Sequence, residues 1–137
     1  MANPGPASSV VNHTQSLVSN QALRLLAYVQ GANINAAGDT ALPIINATVY
    51  SVANVIMVNA SVSLSAAAAG LFTATGGGGT AIVANAALSA ATGPTVVSQR
   101  SVASTNTTTV QNLFLNVGTP QGSAATADFY VYGYDFS

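Results

Sequence analysis

Cysteine, lysine and glutamate are all absent from this 137-residue sequence. Without cysteine there is no disulfide framework, no thiolate metal site and no cysteine nucleophile. The charged residues are Arg24, Arg100, Asp39, Asp128 and Asp135, which make up 4% of the chain, against about 25% in an ordinary soluble protein. Two arginines so far apart form no basic patch, so nucleic-acid binding through phosphates has no electrostatic footprint. Long hydrophobic runs are missing too. The blandest stretch, Ala60 to Ala74, is interrupted by Ser61, Ser63, Ser65 and Gly70, whereas a membrane helix needs about 20 consecutive apolar residues. The opening residues Met1-Ala-Asn-Pro-Gly-Pro lack the positive n-region and apolar h-region of a secretory signal.

The same scarcity bears on chemistry. The lone histidine, His13, has no acidic residue nearer than Asp39, so metal or general-base chemistry would need partners from elsewhere in the fold. Asp39 follows Gly38 and reads as a turn aspartate that bonds its own backbone. Asp128 and Asp135 would lie on opposite faces of one strand, roughly 23 Å apart, too far for paired catalytic carboxylates. Gly76 to Gly79 precede Thr80, and no lysine exists to complete a phosphate loop, so they read as a hairpin turn. No catalytic residue, metal ligand or cofactor site is expected.

What is present alternates. From Val55 to Ser65, Ile56, Val58, Ala60, Val62 and Leu64 alternate with Asn59, Ser61, Ser63 and Ser65. This period of two predicts a half-buried strand with those five apolar residues on its inner face. Leu23 to Gln30 is too short for an ordinary helix and is followed by turn residues, so it predicts a strand. Leu42 to Val52 alternates again, with Ala53-Asn54 as a turn or bulge after it. Gly70 to Thr75 and Thr80 to Leu88 flank the four glycines as a hairpin, and Ala66 to Ala69 predict a turn or wide loop. After Gly93-Pro94, Ser101 to Thr109 reads as loop or exposed edge. Val110 to Val117 and Ala127 to Phe136 restore alternation, with Leu113, Leu115, Val117, Phe129 and Val131 pointing inward.

The sum is an all-β chain: a single antiparallel β-sandwich or jelly-roll-like domain over residues 21–137, with an extended N-terminal arm over residues 1–20. The arm carries Val10, Val11, Leu17 and Val18 as its sizeable apolar side chains. A surface this poor in charge has little repulsion to keep copies apart, and its amides and hydroxyls suit close subunit contacts. Interface positions are therefore expected at Val10, Val11, Leu17 and Val18 and along Tyr130, Tyr132 and Tyr134, whose rings share one strand face. The same tyrosines could instead stack on sugars.

Two segments resemble small structural proteins of tailed-bacteriophage virions. One comprises Val58-Asn-Ala-Ser-Val-Ser-Leu, Ala69-Gly-Leu-Phe-Thr-Ala and Gly78-Gly-Thr-Ala-Ile-Val-Ala. The other runs from Leu113-Phe-Leu-Asn-Val-Gly-Thr-Pro-Gln-Gly-Ser to Ala127-Asp-Phe-Tyr-Val-Tyr-Gly. From first to last they span a little over half of the chain, and Met1 to Ala53 departs from the pattern. The resemblance implies virion building material with no catalytic residues to carry over. More narrowly, it implies a capsid decoration (cement) protein on the capsid surface, with partners in its own copies, as a homo-oligomer such as a trimer, and in the major capsid protein. Neither nucleic acid nor membrane is an expected partner. The alternative implied role is a head-fibre or tail domain that holds host glycans through Tyr130, Tyr132 and Tyr134.

Overall fold

The computed structural model describes residues 22–137; the N-terminal arm, with Val10, Val11, His13, Leu17 and Val18, lies outside the described residues. Eight strands follow in order: β1 (Arg24–Asn33), β2 (Gly38–Pro43), β3 (Tyr50–Val58), β4 (Ala68–Ala74), β5 (Gly78–Ala87), β6 (Ser98–Arg100), β7 (Asn112–Thr119) and β8 (Thr126–Asp135). They form two four-stranded antiparallel sheets with orders β1-β8-β3-β6 and β2-β7-β4-β5.

The pairing is nested. β4 pairs with β5, β3 with β6, β2 with β7 and β1 with β8, so the chain is one long hairpin whose tip lies at Thr75–Gly77. Rolling that hairpin brings β8 onto β3 and β7 onto β4. This order is that of a jelly roll, a distinction that periodicity alone leaves open. At the tip, Gly76 and Gly77 have φ near +70°, a conformation glycine adopts without steric cost.

The core lies between the sheets and is filled most regularly by alternate residues of β7 and β8. β7 contributes Leu113, Leu115 and Val117, and β8 contributes Ala127, Phe129 and Val131, all buried as their alternation predicts. Opposite them, Leu71 faces Leu115 and Met57 faces Phe129. Gly133 packs where a Cβ would lie 2.6 Å from Leu26 Cδ1 and would collide with the Ser51 carbonyl, so the β8–β3 contact depends on a missing side chain.

Three expectations are corrected here. The strand predicted over Val55 to Ser65 is β3, which begins at Tyr50 and stops at Val58, and its phase is reversed: Val55 and Met57 are buried while Ile56 and Val58 are half-buried on the outer face. Val55 to Val58 is apolar at every position, so alternation carries no phase there, and the pairing of Val55 with Val131 and Met57 with Phe129 fixes it. Asn59 then turns out of the strand at φ +55°, and Leu64 is buried from a loop, its N–H donating to the Ala91 carbonyl at 2.9 Å. Val62, assigned inward, is exposed. The second correction concerns Leu42 to Val52, where no continuous strand forms. β2 ends at Pro43, the chain crosses between sheets with Asn46 at φ +49°, and β3 starts at Tyr50. Ala53-Asn54 forms the bulge that was one of its two expected forms, inside β3, whereas Ala68 and Ala69, expected in a turn or wide loop, open β4.

Candidate interaction surface

The outward face of the β1-β8-β3-β6 sheet carries one row of side chains across all four strands. Tyr28 pairs with Tyr130, Tyr130 with Ile56, and Ile56 with Gln99. The Tyr28 and Tyr130 rings stack with centroids 6.2 Å apart and planes at 16°. Gln30 Nε2 donates to the Tyr130 hydroxyl at 2.9 Å, and Gln99 Nε2 donates to Asn54 Oδ1 at 2.7 Å. A second row, Leu25, Tyr132 and Asn54, runs beside the first. Tyr130, Tyr132 and Tyr134 are therefore brought to one face, each half-buried. Tyr28, 47% exposed, is the ring the sequence reading missed; its alternation with Val29 and Gln30 on β1 was the available signal.

One end of this face is closed by Asp128, which is 8% exposed. Its carboxylate accepts the Gly31 N–H at 2.7 Å and Asn59 Nδ2 at 3.2 Å. The bulge of β1 between Val29 and Ala32, with Gly31 at φ +67°, frees that N–H for the aspartate. Asp128 thus fastens an edge-strand bulge and the end of β3 together.

The outer face of the β2-β7-β4-β5 sheet is made of smaller groups. Its central row is Ala41, Phe114, Phe72 and Ala81. Asp39, expected to bond its own turn, instead lies in β2 and reaches across the sheet. It accepts the Gly76 N–H and Asn116 Nδ2, each at 2.8 Å, and so pins the glycine tip against β7.

The remaining charges sit at the two open sides of the roll. On the β1–β2 side Arg24 Nη1 contacts Asp135 Oδ2 at 2.9 Å and donates to the Asn46 carbonyl at 3.3 Å, while Nη2 donates to the Ile45 carbonyl. Asp135 also accepts the Ser137 N–H and hydroxyl, and these bonds, then Arg24, hold its carboxyl below the ordinary range. On the β5–β6 side Arg100 donates to the carbonyls of Ala87 at 3.1 Å and Ala86 at 3.3 Å. Two open depressions of about 500 and 300 Å³ meet at Gln99, Arg100 and Ser101.

Chemically, the rings and amides of these faces can stack and hydrogen-bond. Each aspartate is engaged in structural hydrogen bonds, and among the described residues no three His, Cys, Asp or Glu side chains converge on a metal-sized site. Tyr50 donates its hydroxyl to the Val110 carbonyl at 2.7 Å, and burial pushes its pKa up to about 12. No family model, no curated protein and no solved structure matches this chain.

Proposed function

We propose that this protein is a structural component of a phage virion, a capsid decoration protein that oligomerises on the head surface and stabilises it. One observation carries the reading: each of the five charged side chains has hydrogen-bond partners within the domain, and Asp39 is the exposed charge on two broad sheet faces otherwise built from tyrosine, phenylalanine, amide and alanine side chains. Such faces associate with few ions to desolvate, Asp39 being the exposed one, so their burial retains most of the roughly 25 cal/mol per Å² that apolar area contributes. The jelly-roll order and the resemblance of the segments from Val58 onward support the same assignment.

The test is the copy number of this chain per major capsid subunit in purified particles, measured by quantitative mass spectrometry. A simple ratio, such as one to one or one to three, is the expected result. A handful of copies per particle would sink the head-decoration reading and place the chain at a vertex or in the tail.

A second reading has its own support. The stacked Tyr28–Tyr130 pair, bordered by Gln30, Asn54 and Gln99, offers flat rings and amide hydrogen-bonding groups, the chemistry that holds neutral sugars. Retention on a glycan array that disappears in a Tyr28→Ser, Tyr130→Ser double variant of unchanged oligomer mass would favour it. An array with no retained glycan ends it.

A further inference from the structure

Among the described residues Arg100 has no carboxylate partner. The sequence offers three aspartates and no glutamate, and each aspartate is committed elsewhere: Asp135 to Arg24 and Ser137, Asp128 to Gly31 and Asn59, Asp39 to Gly76 and Asn116. Arg100 is nonetheless half-buried, and desolvation holds its pKa below the ordinary arginine value. Its bonds to the Ala86 and Ala87 carbonyls orient the guanidinium across the gap between the sheets. A guanidinium carries more N–H donors than those two carbonyls take up.

The surroundings define what such a group could hold. Arg100 stands where two depressions join, one lined by Ala53, Val102 and Thr105, the other by Val83, Ala84 and Ala103, with Gln99 and Ser101 common to both. Together they make a groove of small apolar walls, a few hydrogen-bonding groups and a single positive charge. β6 is a sheet edge that pairs only with β3, so backbone groups border the groove as well. Phosphate-rich polymers are disfavoured, because the other arginine is engaged with Asp135 and the net charge is −1. One carboxylate on an extended polypeptide matches the one guanidinium in charge and in planar geometry.

We propose that the groove around Arg100, between β5 and β6, is a docking site for an acidic polypeptide segment of a partner protein, with one aspartate or glutamate carboxylate seated on the guanidinium. Only the partner's identity as a capsid subunit rests on the decoration reading. The test below contains no capsid, so the two can fail separately.

The full chain, labelled with ¹⁵N, is titrated with a capped tetrapeptide carrying two central glutamates. The matching glutamine peptide and inorganic phosphate serve as controls. Saturable shifts are expected at the Arg100 side-chain Nε–H and at the amides of Ala86, Ala87, Gln99 and Ser101. Affinity should be about tenfold weaker for the glutamine peptide and for Arg100→Gln, the loss expected on removing a charge-assisted bond. Should Arg100→Gln lose its native spectrum, Arg100→Lys replaces it; keeping the charge without the fork, it should bind the glutamate peptide several-fold more weakly than the parent. Equal response to the glutamate and glutamine peptides overturns the proposal, as do shifts that do not saturate or that persist unchanged in the variant that folds. Phosphate binding as tight as the peptide's, at the same amides, overturns it in favour of a plain anion site.

Discussion

The two open sides of the roll are both bridged by an arginine that donates to main-chain carbonyls, yet they differ in what else the arginine meets. Where β1 and β2 are the edges, Arg24 grips the carbonyls of Ile45 and Asn46 and also Asp135, so its charge is neutralised within the domain. Where β5 and β6 are the edges, Arg100 grips Ala86 and Ala87 and meets no carboxylate. The second side relies instead on the chain between β6 and β7. Ala103 N–H donates to the Ile82 carbonyl at 2.7 Å, Thr108 and Tyr50 exchange both backbone bonds, and Tyr50 donates its hydroxyl to the Val110 carbonyl. One side adds an ion pair with carbonyls to the Ile45–Leu26 backbone bond, the other adds a strap anchored on a buried phenol. Closing a sandwich does not require a paired charge, and an unpaired one remains available to a partner.

The largest expected effect comes from releasing the strap. Tyr50→Ala empties a fully buried site and leaves the Val110 carbonyl without its donor, which should cost about 4 kcal/mol in urea unfolding. A cost under about 1 kcal/mol would mean that the strap contributes little. Next is Arg24→Met, which keeps the aliphatic stem but strips Asp135 and two carbonyls of their donor; about 2 kcal/mol is expected by the same measurement. Arg100→Met should lie within about 1 kcal/mol of the parent, because the two lost carbonyl bonds are offset by relief of a half-desolvated cation. Equal costs for the two arginine variants would erase the contrast between the sides.

The smallest effect is the pH dependence. A carboxyl whose folded pKa is depressed stabilises the fold above its unfolded value, about 4, and that contribution is lost as pH falls through the folded value. Asp135 is such a group. The thermal-midpoint gap between the parent and Asp135→Asn should therefore shrink as the pH is lowered below about 4. The gap between the parent and Arg100→Met should stay constant over the same interval, since no carboxylate faces Arg100.

Much of the framework was legible in the sequence, and the exceptions share a cause. β7 and β8 carry a clean alternation, with Leu113, Leu115, Phe129 and Val131 separated by polar or aromatic residues, so strand and inner face both follow from it. β3 does not, because Val55, Ile56, Met57 and Val58 are apolar on both faces and only the pairing with β8 selects a phase. The position of Asp39 after Gly38 predicts a local bond, while its partner Gly76 is 37 residues away; Asp128 reaches Gly31 across 97. The three tyrosines of β8 were legible as a face, whereas Tyr28 joins it only through the pairing of β1 with β8. The groove at Arg100 was invisible for the same reason, since it exists only where β5 and β6 come to face each other.

The nested pairing also predicts an order of assembly in time, which hydrogen-exchange labelling during refolding would check. Closing a loop costs about 0.6 kcal/mol more for each doubling of its length. The glycine tip between β4 and β5 is several doublings shorter than the chain between β1 and β8, which separates the two closures by about 3 kcal/mol when each forms alone. Once β4 and β5 have joined, every outer pair has less chain left to close, so the roll zips from its tip toward β1 and β8. The Tyr28–Tyr130 platform, built on that outermost pair, is then the last surface to appear, and a half-folded chain does not yet present it.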